Sequence, residues 1–185
     1  MSEKELVEGC RKGDARAQRE LFNRFSGKMF AVCCRYVSSR ADAEDVLVTA
    51  FTRIFEKFNQ YRGEGSLEGW IRRVMVNEAL TFLRKNRQMY LETDIEAASF
   101  EPDYQQLADR LEEEDLLDMI NRLPAGYRMV FNLYAIEGYT HQEIAEQLGI
   151  SENTSKSQLS RARACLQKML AEMEEQANQK TAHHD

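Results

Sequence analysis

The sequence predicts an all-α protein: two small helical domains joined by a flexible acidic linker, the C-terminal domain containing a helix-turn-helix. Three observations point there. Apolar residues recur at helical spacing while the alternating pattern of strands is absent. Only two prolines, Pro102 and Pro124, and nine glycines punctuate 185 residues, which leaves room for long helices. Charge is also unevenly divided. Residues 1–90 balance to +5 and residues 119–170 to +2, whereas residues 91–118 hold eleven acids against the single base Arg110, and the tail 171–185 carries -3. Two mildly basic blocks thus flank a strongly acidic one, in a chain whose net charge is -6.

The elements are taken in chain order. The stretch VEGCRKGDARAQRELFNRFSGKMFAVCCRYV supplies one or two helices with Leu21, Phe22, Phe25, Met29 and Phe30 as core. From Ala41 to Phe58 a helix places Leu47, Phe51, Ile54 and Phe58 on one face. Asp42, Glu44 and Asp45 crowd its first turn, where the helix dipole favours acids. NQYRGEGS reads as a glycine-containing loop, and Ser66 caps a helix expected from about Leu67 to Arg87. Its apolar face holds Leu67, Ile71, Met75, Ala79 and Phe82; Trp70, Arg73, Asn77 and Arg84 lie opposite. Residues 89–109 lack an apolar period, contain Pro102 and read as the linker. A helical pattern resumes near Leu107, with Leu111, Leu116, Met119, Ile120 and Leu123. These marks divide the chain into domains at 1–88 and 110–172, the linker at 89–109 and a frayed tail at 173–185.

The most specific signal is THQEIAEQLGISENTSKSQLSRARACL, Thr140 to Leu166. Thr140 and Glu143 form a capping box. Ile144, Ala145 and Leu148 provide an apolar side, and Ala145 is small enough for a close helix crossing. Gly149 suits the left-handed residue that ends a helix, Ile150 plugs the junction and Ser151 caps a second helix. In that helix Leu159, Ala162 and Leu166 face inward. Lys156, Ser157, Ser160, Arg161 and Arg163 are left for the outer surface, where such groups bond phosphates and base edges. This is the pattern of a DNA-reading helix-turn-helix.

Other functions are excluded by what is missing. No metal, nucleophile or phosphate-loop constellation appears, so no enzyme, cofactor or metal site is expected. Cys10, Cys33, Cys34 and Cys165 lack ligand spacing and read as packed free thiols. With neither a run of about 18 apolar residues nor a signal peptide, no membrane insertion is expected and the cytoplasm is the expected compartment.

Taken together these segments resemble the extracytoplasmic-function (ECF) sigma factors, the small two-domain members of the bacterial sigma-70 family. DAEDVLVTAFTRIFEKF is similar to the family's helix that docks on core RNA polymerase. GEGSLEGWIRRVMVNEALTFLRK is similar to the helix that melts and reads the -10 element, and LPAGYRMVFNLYAIEGYTHQEIAEQLGISENTSKSQLSRARACL to the domain that reads the -35 element. The resemblance implies three partners: core RNA polymerase, promoter DNA and an anti-sigma factor. It implies that Asp42, Glu44, Asp45, Thr49 and Arg53 face the polymerase. Arg62, Gly63, Ser66, Trp70, Arg72, Arg73 and Asn77 would serve the -10 region. Lys156, Ser157, Ser160 and Arg161 would enter the groove at -35, with Thr140 and Arg163 near phosphates. The residues alone leave two points open: Trp70 suits a core as well as a base contact, and the acids at 42–45 suit a helix start as well as a docking face. A stand-alone helix-turn-helix regulator is the rival reading.

Four positions depart from the family pattern. Val48 and Thr49 stand where many relatives carry Gln-Glu, Ser155 where an apolar residue is usual, and Gln158 where a base is usual. Ser155 is expected to weaken the seam of the helix-turn-helix, so that Ser155→Val raises thermal stability. The net acidity is itself informative. Counterion release from phosphates drives DNA affinity, and a chain of -6 is poorly made for that alone. The expectation is two weak readers that gain by being carried at fixed spacing on a larger enzyme. The acidic linker reads equally as a nucleic-acid mimic or a self-repelling spacer.

Overall fold

The computed structural model describes residues 1–86 and 113–182, and all regular structure among them is helical. The chain divides into two compact units, Met1–Arg87 and Gln88–Asp185. The linker expected at 89–109 lies outside the described residues, as do Leu107 and Leu111.

The N-terminal unit is built from four helices: α1 (Glu3–Arg11), α2 (Ala15–Tyr36), α3 (Arg40–Glu56) and α4 (Leu67–Lys85), with a 3₁₀ turn at Phe58–Gln60. Each start is set by a short polar side chain that satisfies an orphan N–H. Ser2 and Glu5 form a capping box, Asp14 accepts from the Ala17 amide, Ser39 from Asp42 and Ser66 from Gly69. The core between the helices holds Leu6, Leu21, Met29, Phe51, Ile54, Leu67, Ile71 and Met75, all fully buried or nearly so. At the α1–α2 crossing Gly9 is required by space. A Cβ there would meet the Ala17 Cβ at 2.5 Å, so the two helices approach at the distance only glycine permits.

Several expectations shift. Helix α3 begins at Arg40, so only Asp42 of the three acids occupies its first turn; Glu44 and Asp45 lie further along. Phe58 is buried as expected, but from the 3₁₀ turn rather than from the helix. Helix α4 ends at Lys85, and its last core residue is Leu83, with Phe82 only half-buried. Each four-residue step advances about 40° around a helix, and the stripe Leu67, Ile71, Met75, Ala79 continues that drift to Leu83. Phe22 and Phe30 are half-buried at the margin of the core. Phe22 meets Phe51 edge-on at 4.8 Å, and Phe30 lies under the Arg40 guanidinium at 5.4 Å.

The second unit contains α5 (Glu113–Arg122), α6 (Ala125–Phe131), α7 (His141–Leu148) and α8 (Glu152–Ala182). Pro124 sits at the N-cap of α6, and α6 runs into a five-residue π turn at Asn132–Ile136. Met119, Ile120, Leu123, Met129, Phe131, Leu133, Ile144, Leu159, Ala162 and Leu166 form the core. Arg128 is buried with them and donates from Nη1 to the Asn121 carbonyl at 2.9 Å. A cation at the C-terminal end of α5 complements its dipole, while burial pushes the guanidinium pKa below its usual value. Helix α8 continues through Ala182, well into the stretch 173–185 expected to fray. The four cysteines are free thiols, and burial pushes Cys10 up to about 11 and Cys33 up to about 12.

Candidate nucleic-acid interface

Three surfaces carry the residues singled out by sequence. The first is the solvent face of α3. Glu44, Asp45, Val48, Thr49, Thr52 and Glu56 are exposed there, opposite the buried Ala43, Val46, Leu47, Ala50 and Ile54. Asp45 and Thr49 share this stripe; Glu44 lies at its edge, in an ion pair with Arg40 at 3.2 Å. Arg53 does not. It turns toward α4, where Nη1 meets the buried Glu78 carboxylate at 2.6 Å, while its side chain remains 43% exposed. Val48, 59% exposed, is the largest apolar group of the stripe. Sequence inspection noted it as a departure without placing it at the centre of the surface. With Thr52, it was legible from the i, i+3, i+4, i+7 spacing of Asp45, Val48, Thr49 and Thr52.

The second surface joins the 62–66 loop to α4. Gly63 and Gly65 adopt φ of 81° and 80°, the left-handed region that glycine enters without strain, and so fold the loop tightly ahead of Ser66. The Tyr61 hydroxyl donates to the Gly65 carbonyl at 3.1 Å, and Arg11 donates from Nη2 to the Tyr61 carbonyl at 2.6 Å. Trp70 packs against this loop base, its ring 5.5 Å from Phe58 edge-on and 5.4 Å from Tyr61. It is packed there and yet remains half-exposed. Arg73 and Asn77 are exposed one and two turns further on, giving a strip of Arg62, Gly63, Ser66, Trp70, Arg73 and Asn77. Arg72 is not part of it. Two residues beyond Trp70 it points about 200° around the helix, and it is half-buried.

The third surface is the helix-turn-helix. The Thr140–Glu143 capping box is complete, with Thr140 N–H to Glu143 Oε2 at 2.8 Å and Glu143 N–H to Thr140 Oγ1 at 3.2 Å. Gly149 has φ 67°, the Ile150 amide returns to the Ala145 carbonyl at 3.1 Å, and Ser151 accepts from the Thr154 amide at 3.0 Å. Leu159, Ala162 and Leu166 are buried as the helical phase requires. Lys156 is exposed and paired with Glu152 at 2.8 Å; Ser157 and Ser160 are half-buried beside it. Arg161 and Arg163 stand on opposite flanks, about 160° apart, so they are not brought to one point. Asn153, exposed in the first turn, shares the outward face and was missed by sequence reasoning. Its amide has the donor and acceptor that pair with adenine. Gln158 packs over α6, its amide 3.5 Å from where a Gly126 Cβ would stand, and so leaves the outer face.

Ser155 is fully buried in the seam, in the phase anticipated, and it has a polar partner there: Oγ lies 2.9 Å from His141 Nδ1 at the start of α7. The His141 ring stacks on Tyr134 at 4.5 Å with a 20° interplanar angle. Burial lowers the His141 pKa below its usual value, with Lys156 and Arg163 adding repulsion and Glu152 opposing it.

Comparison with known proteins agrees with this arrangement. Residues 21–89 match the profile of Sigma-70 region 2, and residues 113–166 match Sigma-70, region 4. The chain is 28% identical over 180 residues to the ECF RNA polymerase sigma-E factor of Haemophilus influenzae, covering 90% of this chain and 94% of that protein. It is 28% identical over 179 residues to the sigma-E factor of Escherichia coli K12, covering 90% and 93%. Among solved structures, the sigma factor RpoE of Bartonella quintana, in complex with the anti-sigma factor NepR, superposes with a TM-score of 0.52 at 22% identity. That match covers 83% of this chain and 96% of RpoE. CnrH, in complex with the cytosolic domain of CnrY, gives 0.50 at 22% identity, covering 90% and 95%; both share the fold. With region 2 and region 4 following one another along the chain, and relatives aligned over nearly its whole length, the protein belongs to the ECF subfamily of the sigma-70 family of RNA polymerase sigma factors.

Proposed function

We propose that this chain binds core RNA polymerase and directs initiation at promoters read at both -10 and -35, as an ECF-type sigma factor. The observation that carries the proposal is the succession of region 2 and region 4, one in each compact unit. The exposed α3 stripe centred on Asp45, Val48 and Thr49 is the polymerase-docking face. An apolar Val48 there contributes more per residue than the charges flanking it, because its burial needs no desolvation of a charge. The strip from Arg62 to Asn77 serves the -10 element. A half-exposed Trp70 backed by Phe58 and Tyr61 is a rigid platform against which an unstacked base can lie. Lys156, Ser157, Ser160 and Asn153 face the -35 groove, with Thr140, Arg161 and Arg163 placed for phosphates on either side.

An anti-sigma factor is proposed as the third partner. The RpoE and NepR structure is such a complex, and the exposed α3 stripe offers one a surface to occlude. Action on polymerase places the protein in the cytoplasm and gives it no reaction of its own to catalyse. No described helix is long and apolar enough to cross a membrane.

Run-off transcription on genomic fragments with core polymerase, with and without the chain, tests the proposal. New, discrete start sites that depend on the protein are expected. Tight promoter binding by the isolated chain at physiological salt, with no change in start-site selection, would instead favour a stand-alone regulator.

A further inference from the structure

Apolar seams between helices set only coarsely how far one helix is rotated about its axis, because apolar contacts are not directional. A hydrogen bond is directional and does fix it. The seam of the helix-turn-helix contains one. Ser155, fully buried one turn into α8, meets Nδ1 of His141, the first residue of α7, at 2.9 Å. Which of the two atoms donates depends on the ring tautomer, and a serine hydroxyl serves either way. The other side of the His141 ring is taken by Tyr134 from the π turn, stacked at 4.5 Å. Tyr134 in turn receives the Arg163 guanidinium at 5.9 Å, two turns further along α8. The imidazole therefore links the π turn, the first turn of α7 and the first turn of α8, and Tyr134 extends the linkage to Arg163 two turns on. Asn153 and Lys156, on the outward face, flank Ser155 in the same turn of α8, so any rotation that breaks the Ser155 contact displaces them from the groove.

We infer that His141 is a positioning residue for -35 recognition: its ring, seated between Tyr134 and Ser155, sets the rotation at which the recognition helix presents its outward side chains. The inference rests on the proposed -35 reading. It also accounts for the serine in an otherwise apolar seam, since a larger side chain at 155 would both fill the space of the ring and leave Nδ1 without its partner.

The test uses holoenzyme assembled from core polymerase and the full chain. The quantity measured is the ratio of transcript from a promoter found by run-off to transcript from the same DNA with its -35 element scrambled. His141→Ala is expected to lower this ratio about tenfold, the size of losing one good base contact, and Ser155→Ala to lower it similarly. The double variant should fall no further than either single one, and His141→Asn, which keeps a polar atom near the position of Nδ1, should recover most of the ratio. A residue that served folding alone would reduce transcript from both templates together and leave the ratio unchanged, which would overturn the inference. A double variant whose loss is the product of the two single losses would also overturn it. Should His141→Ala fail to fold, Ser155→Ala and His141→Asn decide the matter by the same ratio. Lys156→Ala with Arg161→Ala separates the two claims. If that pair leaves the ratio intact, the -35 reading itself is wrong; if it abolishes the ratio while the His141 and Ser155 variants do not, only the positioning role is lost.

Discussion

The two units hold their reading surfaces by different physics. In the N-terminal unit the strip ending at Asn77 rests on apolar and aromatic packing: Trp70 on Phe58 and Tyr61, and α4 on a core of Leu67, Ile71 and Met75. In the C-terminal unit the recognition helix depends on polar contacts at each joint: the Thr140 box, the Ser151 cap and the His141–Ser155 bond. Apolar packing contributes more energy and little direction; hydrogen bonds contribute less energy and fix geometry. A surface that must receive unstacked bases needs a firm platform, and one that must match a preformed groove needs a set angle. On the proposed roles, the difference between the units mirrors the difference between those tasks.

Removing Phe58 attacks the platform most directly. Phe58→Ala, at a side chain 1% exposed, is expected to cost about 3–5 kcal/mol. Chemical denaturation should show the N-terminal unit unfolding at markedly lower denaturant while the helix-turn-helix transition stays where it was. Both transitions shifting equally would mean that the units do not fold independently.

The ion pair between α3 and α4 comes next. Arg53→Ala leaves the Glu78 carboxylate, 6% exposed, without its cation. Stranding a buried charge costs several kcal/mol, but Arg53 is itself 43% exposed and solvent reaches the pair, so about 2 kcal/mol is expected. Arg53→Ala with Glu78→Leu should restore most of the loss. If Arg53 instead serves polymerase directly, the double variant will be stable and yet still defective in core binding, as read by pull-down.

Ser155→Val tests the polar seam against an apolar one. Sequence pattern alone favours a gain in stability; the structure reverses the sign, because valine removes the partner of His141 Nδ1 and crowds the ring. A loss of about 1–2 kcal/mol is expected, measured as a lower melting temperature of the C-terminal unit. A rise would place the His141 ring elsewhere.

The smallest effect is a pH dependence confined to the C-terminal unit. His141 faces Lys156, Arg163 and Glu152 on α8 and the ring of Tyr134, and burial holds its pKa below the ordinary imidazole value. The unfolded chain therefore binds this proton more readily than the folded one. The contribution of His141 is complete above about pH 6.5 and declines as pH falls from there through the lower folded value. In a thermal melt series the unit should lose stability below pH 6.5, and His141→Asn should flatten that slope. An unchanged slope would remove His141 as its source.

Much of the fold was legible because helices announce themselves locally. Ser66, Thr140, Ser151 and Gly149 mark ends through bonds to residues three or four away, and stripes such as Leu159, Ala162, Leu166 need only the 3.6 period. What escaped was nonlocal. The partner of Arg53 is 25 residues away on another helix, so the ion pair could not be read from α3 alone. The resemblance places Arg72 beside Arg73, although neighbours on a helix diverge by about 100°. Asn153 carries no local signal that sets it apart from other first-turn polar residues, and the partner of Ser155 lies fourteen residues back, across a turn.

The amino-acid order by itself determined the helices, most of their starts, the two-unit division and the family, since these rest on near-neighbour bonds, on periodicity and on composition. Only the tertiary structure decided which polar side chains face outward and which are spent on one another. Arg53 and Glu78, like His141 and Ser155, find each other when separate helices pack, and a contact between distant residues depends on the geometry of every element that brings them together.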